Sequence, residues 1–212
     1  MPAVTLAPGI RPLLEVGVVT ASPVTVGPAG PLLQAEIAAL CARMVAAHAG
    51  RAPGEIEGLA PARRLYRAFG IDPTSTRPSS EALLRRILQG KPFPSVNSAV
   101  EVCNLCSTTF LLPIGLYDAA KIDGDVTLRV GEAGESYPGI RKDLVNVAGR
   151  PVLVDAIGPF GNPTSDSLRT SVSEDARSLL MVIFAPKDYA PAALTGHIEF
   201  AREAIARHLT PA

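Results

Sequence analysis

Apolar and polar positions alternate along this chain in patterns that predict a series of elements. Positions 14–20 read LEVGVVT, apolar and β-branched, and predict a strand. A Pro- and Gly-rich stretch over 21–30 predicts a loop. Pro31 then stands where a helix can begin, because a first-turn residue needs no N–H. Ile37, Leu40, Cys41, Met44, Val45 and His48 follow at helical spacing, so a helix is predicted over about 32–49, stopped by Gly50. Pro61 opens a second helix through Phe69, with Gly70 as its stop. Ser79 or Ser80 can cap a third, with Glu81 in its first turn against the helix dipole. Leu83, Leu84, Ile87 and Leu88 make the buried side of that helix, and Gly90 closes it.

A fourth helix is predicted over 96–110, after which Pro113 and Gly115 break the pattern. Strands are predicted at 126–130 and 152–155. The run 179–184, LLMVIF, is continuously apolar, as a strand buried on both faces should be. A closing helix over 191–209 places Leu194, Ile198, Ala201 and Ile205 on one side. Helices early, strands later and a final helix predict one α+β domain with a mixed β-sheet flanked by helices. The N-terminal strand and helix, 1–59, are expected to belong to the same domain as a core over 60–212.

Composition narrows the function classes. Twenty basic and twenty acidic residues cancel, which argues against binding nucleic acid by bulk charge, although a local basic patch is still open. No apolar run reaches membrane-spanning length. Arg11 and Glu15 interrupt the N-terminal stretch, so no signal peptide is expected. Three cysteines are an odd number and make no disulfide framework. The expected setting is the cytoplasm, with no membrane partner, no DNA partner and no cofactor.

The chemistry concentrates in 94–118, PSVNSAVEVCNLCSTTFLLPIGLYD. On a helix, Asn97, Glu101, Asn104 and Thr108 fall on one stripe. Such a stripe is either a solvated or structural face, or the lining of a polar site. The absence of Lys and Arg from it, and its mediocre helix formers, fit a polar cavity. Cys103 and Cys106 form a CxxC in mid-helix, without the helix N-terminus that activates a thiol or the further ligands that zinc needs, and read as core. His48, His197 and His208 are scattered on outer helices and form no catalytic constellation. There is no P-loop and no GxGxxG. Arg77, Arg85 and Arg86, with Lys91, make one short basic patch, either a solvated face or a set of RNA phosphate contacts. Positions 160–167, FGNPTSDS, make a polar turn whose Asn162 and Thr164 can stabilise the backbone or reach over a pocket.

At these residues the sequence resembles a known family. SVNSAVEVCNLCSTTFLLPIGLYD is similar to the B3/B4 domain of bacterial phenylalanyl-tRNA synthetase beta subunits, and the flanking YRAFGIDPTSTRPSSEALLRRILQGKPFP and PFGNPTSDSLRTSVSEDARSLLMVIFAP look like the free-standing proteins related to it. Val96, Asn97, Val100, Glu101, Val102 and Asn104 match the family's helix; Pro113, Tyr117 and Asp118 match the elbow after it. Lys121, Gly124, Leu128, Arg129, Gly134 and Glu135 continue the likeness, which covers about residues 60–186.

In the synthetase this domain hydrolyses wrongly charged tyrosyl-tRNA. The resemblance implies a site bordered by Asn104 and Gly115, with Asn97, Cys103, Asn162 and Thr164 as substrate contacts. It implies recognition of an aminoacyl-tRNA end or an amino-acid-like ligand, with editing hydrolysis in trans as one outcome and a non-catalytic binding module as the alternative. Asn104 and Glu101 are the candidate catalytic residues. Cys103 stands where the family has Thr, Gly115 where it has a pocket His, and Met181 near the position of a Glu. The missing His is expected to widen the pocket.

Overall fold

The computed structural model of the chain describes residues 1–140 and 142–209, with residues 142 and 143 described in backbone only. Its strands are β1 (Val4–Leu6), β2 (Leu14–Ala21), β3 (Ile114–Asp118), β4 (Val126–Val130), β5 (Ser136–Gly139), β6 (Lys142–Asn146), β7 (Pro151–Val154), β8 (Pro159–Gly161) and β9 (Leu179–Pro186). Its α-helices are α1 (Pro31–His48), α2 (Ala60–Ala68), α3 (Ser79–Leu88), α4 (Ser98–Phe110) and α5 (Pro191–Leu209).

The strands form a three-stranded antiparallel sheet in the order β2-β9-β3, a four-stranded mixed sheet in the order β1-β4-β7-β8, and the hairpin β5-β6. Only β1 and β4 run parallel within the mixed sheet. The chain is a single α+β domain.

β9 explains how the layers stack. It is buried along its whole length, and its side chains alternate between two cores because successive strand residues point to opposite faces. Leu179, Met181, Ile183 and Ala185 pack toward α1, α4 and α5. Leu180, Val182 and Phe184 pack toward the mixed sheet and α2. The continuous apolar run over 179–184 is thus the central strand between two cores, as its pattern predicts.

Several elements depart from the sequence reading. Pro113 and Gly115 do not end regular structure: Pro113 precedes β3, and Gly115 lies inside it. β1 and β8 have three residues each, too few to show a period. The hairpin β5-β6 carries Tyr137 and Val145 inward on a small core of its own, and Pro138 and Gly139 in β5 hide the alternation. Ser79 and Ser80 are not caps. Pro78 is the N-cap residue of α3, so both serines lie in the first turn, and neither hydroxyl has a hydrogen-bond partner among the described residues.

α4 begins at Ser98, and Asn97 is its N-cap: the Asn97 side-chain oxygen accepts from the Val100 N–H at 3.0 Å. The helix ends at Leu111, held at φ 56° in the left-handed region without being glycine. Leu111 is buried with Ile56, Leu59 and Leu84. The strain of that conformation, about 1–2 kcal/mol, is offset by burial of the leucine, worth about 1.5–3 kcal/mol.

Candidate functional site

A cleft of about 780 Å³ opens along α3. Ser79, Leu83 and Arg86 lie at i, i+4 and i+7 on that helix, so they form one face, and all three line the cleft. Arg77 enters from the turn before α3, and Arg85 and Lys91 from its C-terminal end. Asn104 of α4 and Thr164 of the loop after β8 complete the polar lining.

Electrostatics set its character. Four cations line the cleft, and no carboxylate does. Among the described residues no carboxylate lies within ion-pair distance of these four. Arg86 donates to the Pro92 carbonyl at 2.5 Å, which places its guanidinium. The carboxylate of α3, Glu81, is turned away from the cleft and gripped bidentately by Arg63 of α2, at 2.8 and 2.9 Å. The helix therefore offers the cleft only positive charge.

Thr164 is positioned by its own turn. Asn162 Oδ1 accepts from the N–H groups of Thr164 and Ser165, at 2.7 and 2.9 Å. Tyr66 donates to the Pro163 carbonyl and meets Thr164 Oγ1, each at 2.9 Å. Asn162 is thus a clamp on the turn that presents Thr164. It does not line the cleft, but it does line a small cavity beside Tyr66 and Phe69.

The structure therefore brings together five of the residues singled out from sequence: Asn104, Thr164, Arg77, Arg85 and Arg86. Others lie apart from the cleft lining. Asn97 is the α4 cap and also donates to the Val172 carbonyl at 3.4 Å. Glu101 is buried, and its Oε1 accepts from Ser95 Oγ at 3.0 Å and the Val96 N–H at 3.2 Å, clasping the approach to α4. The stripe of Asn97, Glu101 and Thr108 is thus buried structure, with Asn104 as its cleft-facing member. Cys103 and Cys106 are buried in the helix-side core. Burial pushes the Cys103 thiol well above its usual range and that of Cys106 up to about 12, so neither is a thiolate at neutral pH.

Gly115 opens no space, contrary to the expected widening. A Cβ there would lie 2.1 Å from the Tyr117 hydroxyl oxygen, and one at Gly161 would lie 2.2 Å from it. The Tyr117 phenol fills the gap between the two glycines, edge-on to Phe160 at 5.0 Å, and donates to Asp166 at 2.6 Å. Burial pushes the Asp166 carboxyl up to about 7, with the Tyr117 hydroxyl and the Leu116 N–H acting the other way. The pairing of Tyr117 with Asp166 has no signal in the sequence, because 49 positions separate them. Ser79 was legible only as a cap candidate.

The three histidines are elsewhere. His197 stacks on Phe110 at 4.1 Å and shares a hydrogen bond with Tyr189 at 2.8 Å; His208 meets Glu36. Among the described residues no group of His, Cys, Asp and Glu could hold a metal ion, and no helix is long and apolar enough to cross a membrane. The cleft can attract an anion and orient a polar ligand with an amide and hydroxyls. Its lining offers no group that exchanges protons near neutrality.

The B3/4 domain family matches residues 61–204. No curated protein matches the chain. Among solved structures, an N-terminal fragment of the phenylalanyl-tRNA synthetase beta subunit from Pyrococcus horikoshii is similar at 15% identity and a TM-score of 0.45. That likeness covers 53% of this chain and 41% of the fragment.

Proposed function

The chain belongs to the B3/4 domain family, and on that premise we propose that its basic cleft receives the aminoacylated 3′ end of a tRNA, or a ligand resembling one. The observation that carries the reading is the union, in one cleft, of Asn104 and Thr164 with Arg77, Arg85 and Arg86. The arginines suit the phosphates of the acceptor end. The Asn104 amide and the Thr164 hydroxyl suit the ester and the amino acid it carries. The setting is the cytoplasm, where charged tRNA is found.

Hydrolysis at such a site needs no strong side-chain base. An aminoacyl ester is activated, and a water or the neighbouring ribose hydroxyl can act once it is held in place. Glu101 does not supply the base from its present position, since its carboxylate is engaged by Ser95 and Val96. One observation favours a second reading, a binding module without turnover: the lining contains amides, hydroxyls and permanent cations, and no group that shuttles a proton.

The test is deacylation of a panel of correctly and wrongly charged tRNAs by the purified protein, with Asn104→Ala alongside. Turnover of one mischarged species, lost in a folded Asn104→Ala protein, supports an editing hydrolase. Binding of charged tRNA without turnover supports the module. Neither binding nor turnover across the panel overturns both.

A further inference from the structure

We infer that the cleft engages the backbone phosphates of a short single strand and not its bases, so that it accepts a nucleic-acid end of any sequence. The inference deepens the tRNA-end reading and takes its choice of ligand from it. Three features of the cleft carry it.

The first is charge. Arg77, Arg85, Arg86 and Lys91 line one cleft with no carboxylate among the lining residues. The second is spacing. Arg77 and Ser79 mark the N-terminal end of α3, and Arg85, Arg86 and Lys91 the other end. Ser79 and Arg86 are seven residues apart, about 10 Å of helix rise, which is the rise of about three stacked nucleotides. At the Arg77 end the first N–H groups of α3 have no side-chain cap, and the Ser79 hydroxyl has no hydrogen-bond partner among the described residues. The backbone N–H groups are donors suited to a phosphate, whereas the Ser79 hydroxyl is buried from solvent.

The third is the absence of a stacking platform. No aromatic ring lines the cleft. Proteins that hold bases of a single strand usually stack them on aromatic side chains. Here the base faces meet no ring, and the phosphates meet four cations.

The experiment measures binding of fluorescein-labelled trinucleotides CCA, UUU and AAA to the full chain by anisotropy, from about 50 to about 200 mM salt. A trinucleotide has two phosphodiesters, and contact to both gives a slope of log affinity against log salt of about −1.4, so affinity falls about sevenfold over that range. The three sequences bind within about threefold of one another. Arg85→Gln with Arg86→Gln halves the slope, and the fall shrinks to about 2.6-fold. Both arginines are surface-reaching, and circular dichroism of the variant checks that it is folded.

Salt-independent binding, a preference above about tenfold for one trinucleotide, or no binding at the lowest salt overturns the inference. The trinucleotides carry no aminoacyl group, which separates the two readings. A protein that binds them but neither selects nor discharges an aminoacyl-tRNA overturns the aminoacyl reading alone. One that discharges a charged tRNA but binds no trinucleotide overturns this inference alone.

Discussion

The Tyr117 hydroxyl donates to Asp166 at 2.6 Å across the gap between Gly115 and Gly161, so one phenol decides what three other positions can be. Two strands approach that ring closely enough to forbid a side chain, and the loop after β8 is tied to β3 through the carboxyl. The same loop presents Thr164 to the cleft.

Gly115→Ala should destabilise the protein by about 3 kcal/mol, at the upper end of overpacking costs. The new Cβ meets the Tyr117 hydroxyl at 2.1 Å and the ring carbon Cζ at 2.6 Å. Removing only the hydroxyl, in a Gly115→Ala, Tyr117→Phe double variant, should therefore recover part of the loss and not all of it. Urea unfolding of both variants checks this; full recovery would show that the ring carbons are not the obstacle.

Asp166 should make stability fall as pH rises from about 4 to 7. Its folded carboxyl titrates at about 7, above the ordinary carboxylate range, because burial disfavours the charged form. Between the two values the folded state holds a proton that the unfolded chain has lost, so rising pH favours unfolding. The expected result is a downward slope in this window that flattens in Asp166→Asn, whose side-chain oxygen can still accept from Tyr117. Glu135 acts in a different window: Arg129 holds its carboxyl at about 2, and its contribution is lost only as pH falls toward that value. Thermal unfolding across pH 3–8 separates the two; an unchanged slope in Asp166→Asn would refute the assignment.

Arg63→Ala should cost more than Glu81→Gln. The Glu81 side chain is 1% exposed and that of Arg63 14%. Losing the arginine strands a buried carboxylate, at about 3–4 kcal/mol, whereas losing the charge on Glu81 leaves an arginine that can reach water, at about 2 kcal/mol. Paired denaturation curves decide the order. Since this pair joins α2 to α3, Arg63→Ala should also weaken trinucleotide binding by loosening the wall of the cleft.

Leu111→Gly should destabilise the chain by about 1–3 kcal/mol despite relieving the left-handed backbone. Relief is worth about 1–2 kcal/mol, while truncating a buried leucine costs about 2–5 kcal/mol. Leu111→Asn, which tolerates φ 56° better than most residues, tests the same balance. If either variant is more stable than the parent in chemical denaturation, backbone strain outweighs packing here.

What the sequence determined by itself is local and periodic. β4, β9, α1 and α5 were legible because a repeat of 2 or 3.6 residues, or an unbroken apolar run, is written in consecutive positions. The short basic patch around α3 was legible for the same reason, and so was Asn104 on its helix. What only the tertiary structure decided is which of these meet. Thr164 and Asn104 face one cleft because the loop after β8, folded locally by Asn162, is clamped by Tyr66, which lies 98 positions before Thr164. Glu101 and Asn97 share the stripe of Asn104, yet the fold uses them to cap and clasp α4, since an N-terminal turn leaves N–H groups that need acceptors. Gly115 marks a filled space because Tyr117, two residues on along the same strand face, folds back over it. Short strands and buried side-chain pairs depend on contacts between distant segments, and a period along the chain cannot encode those.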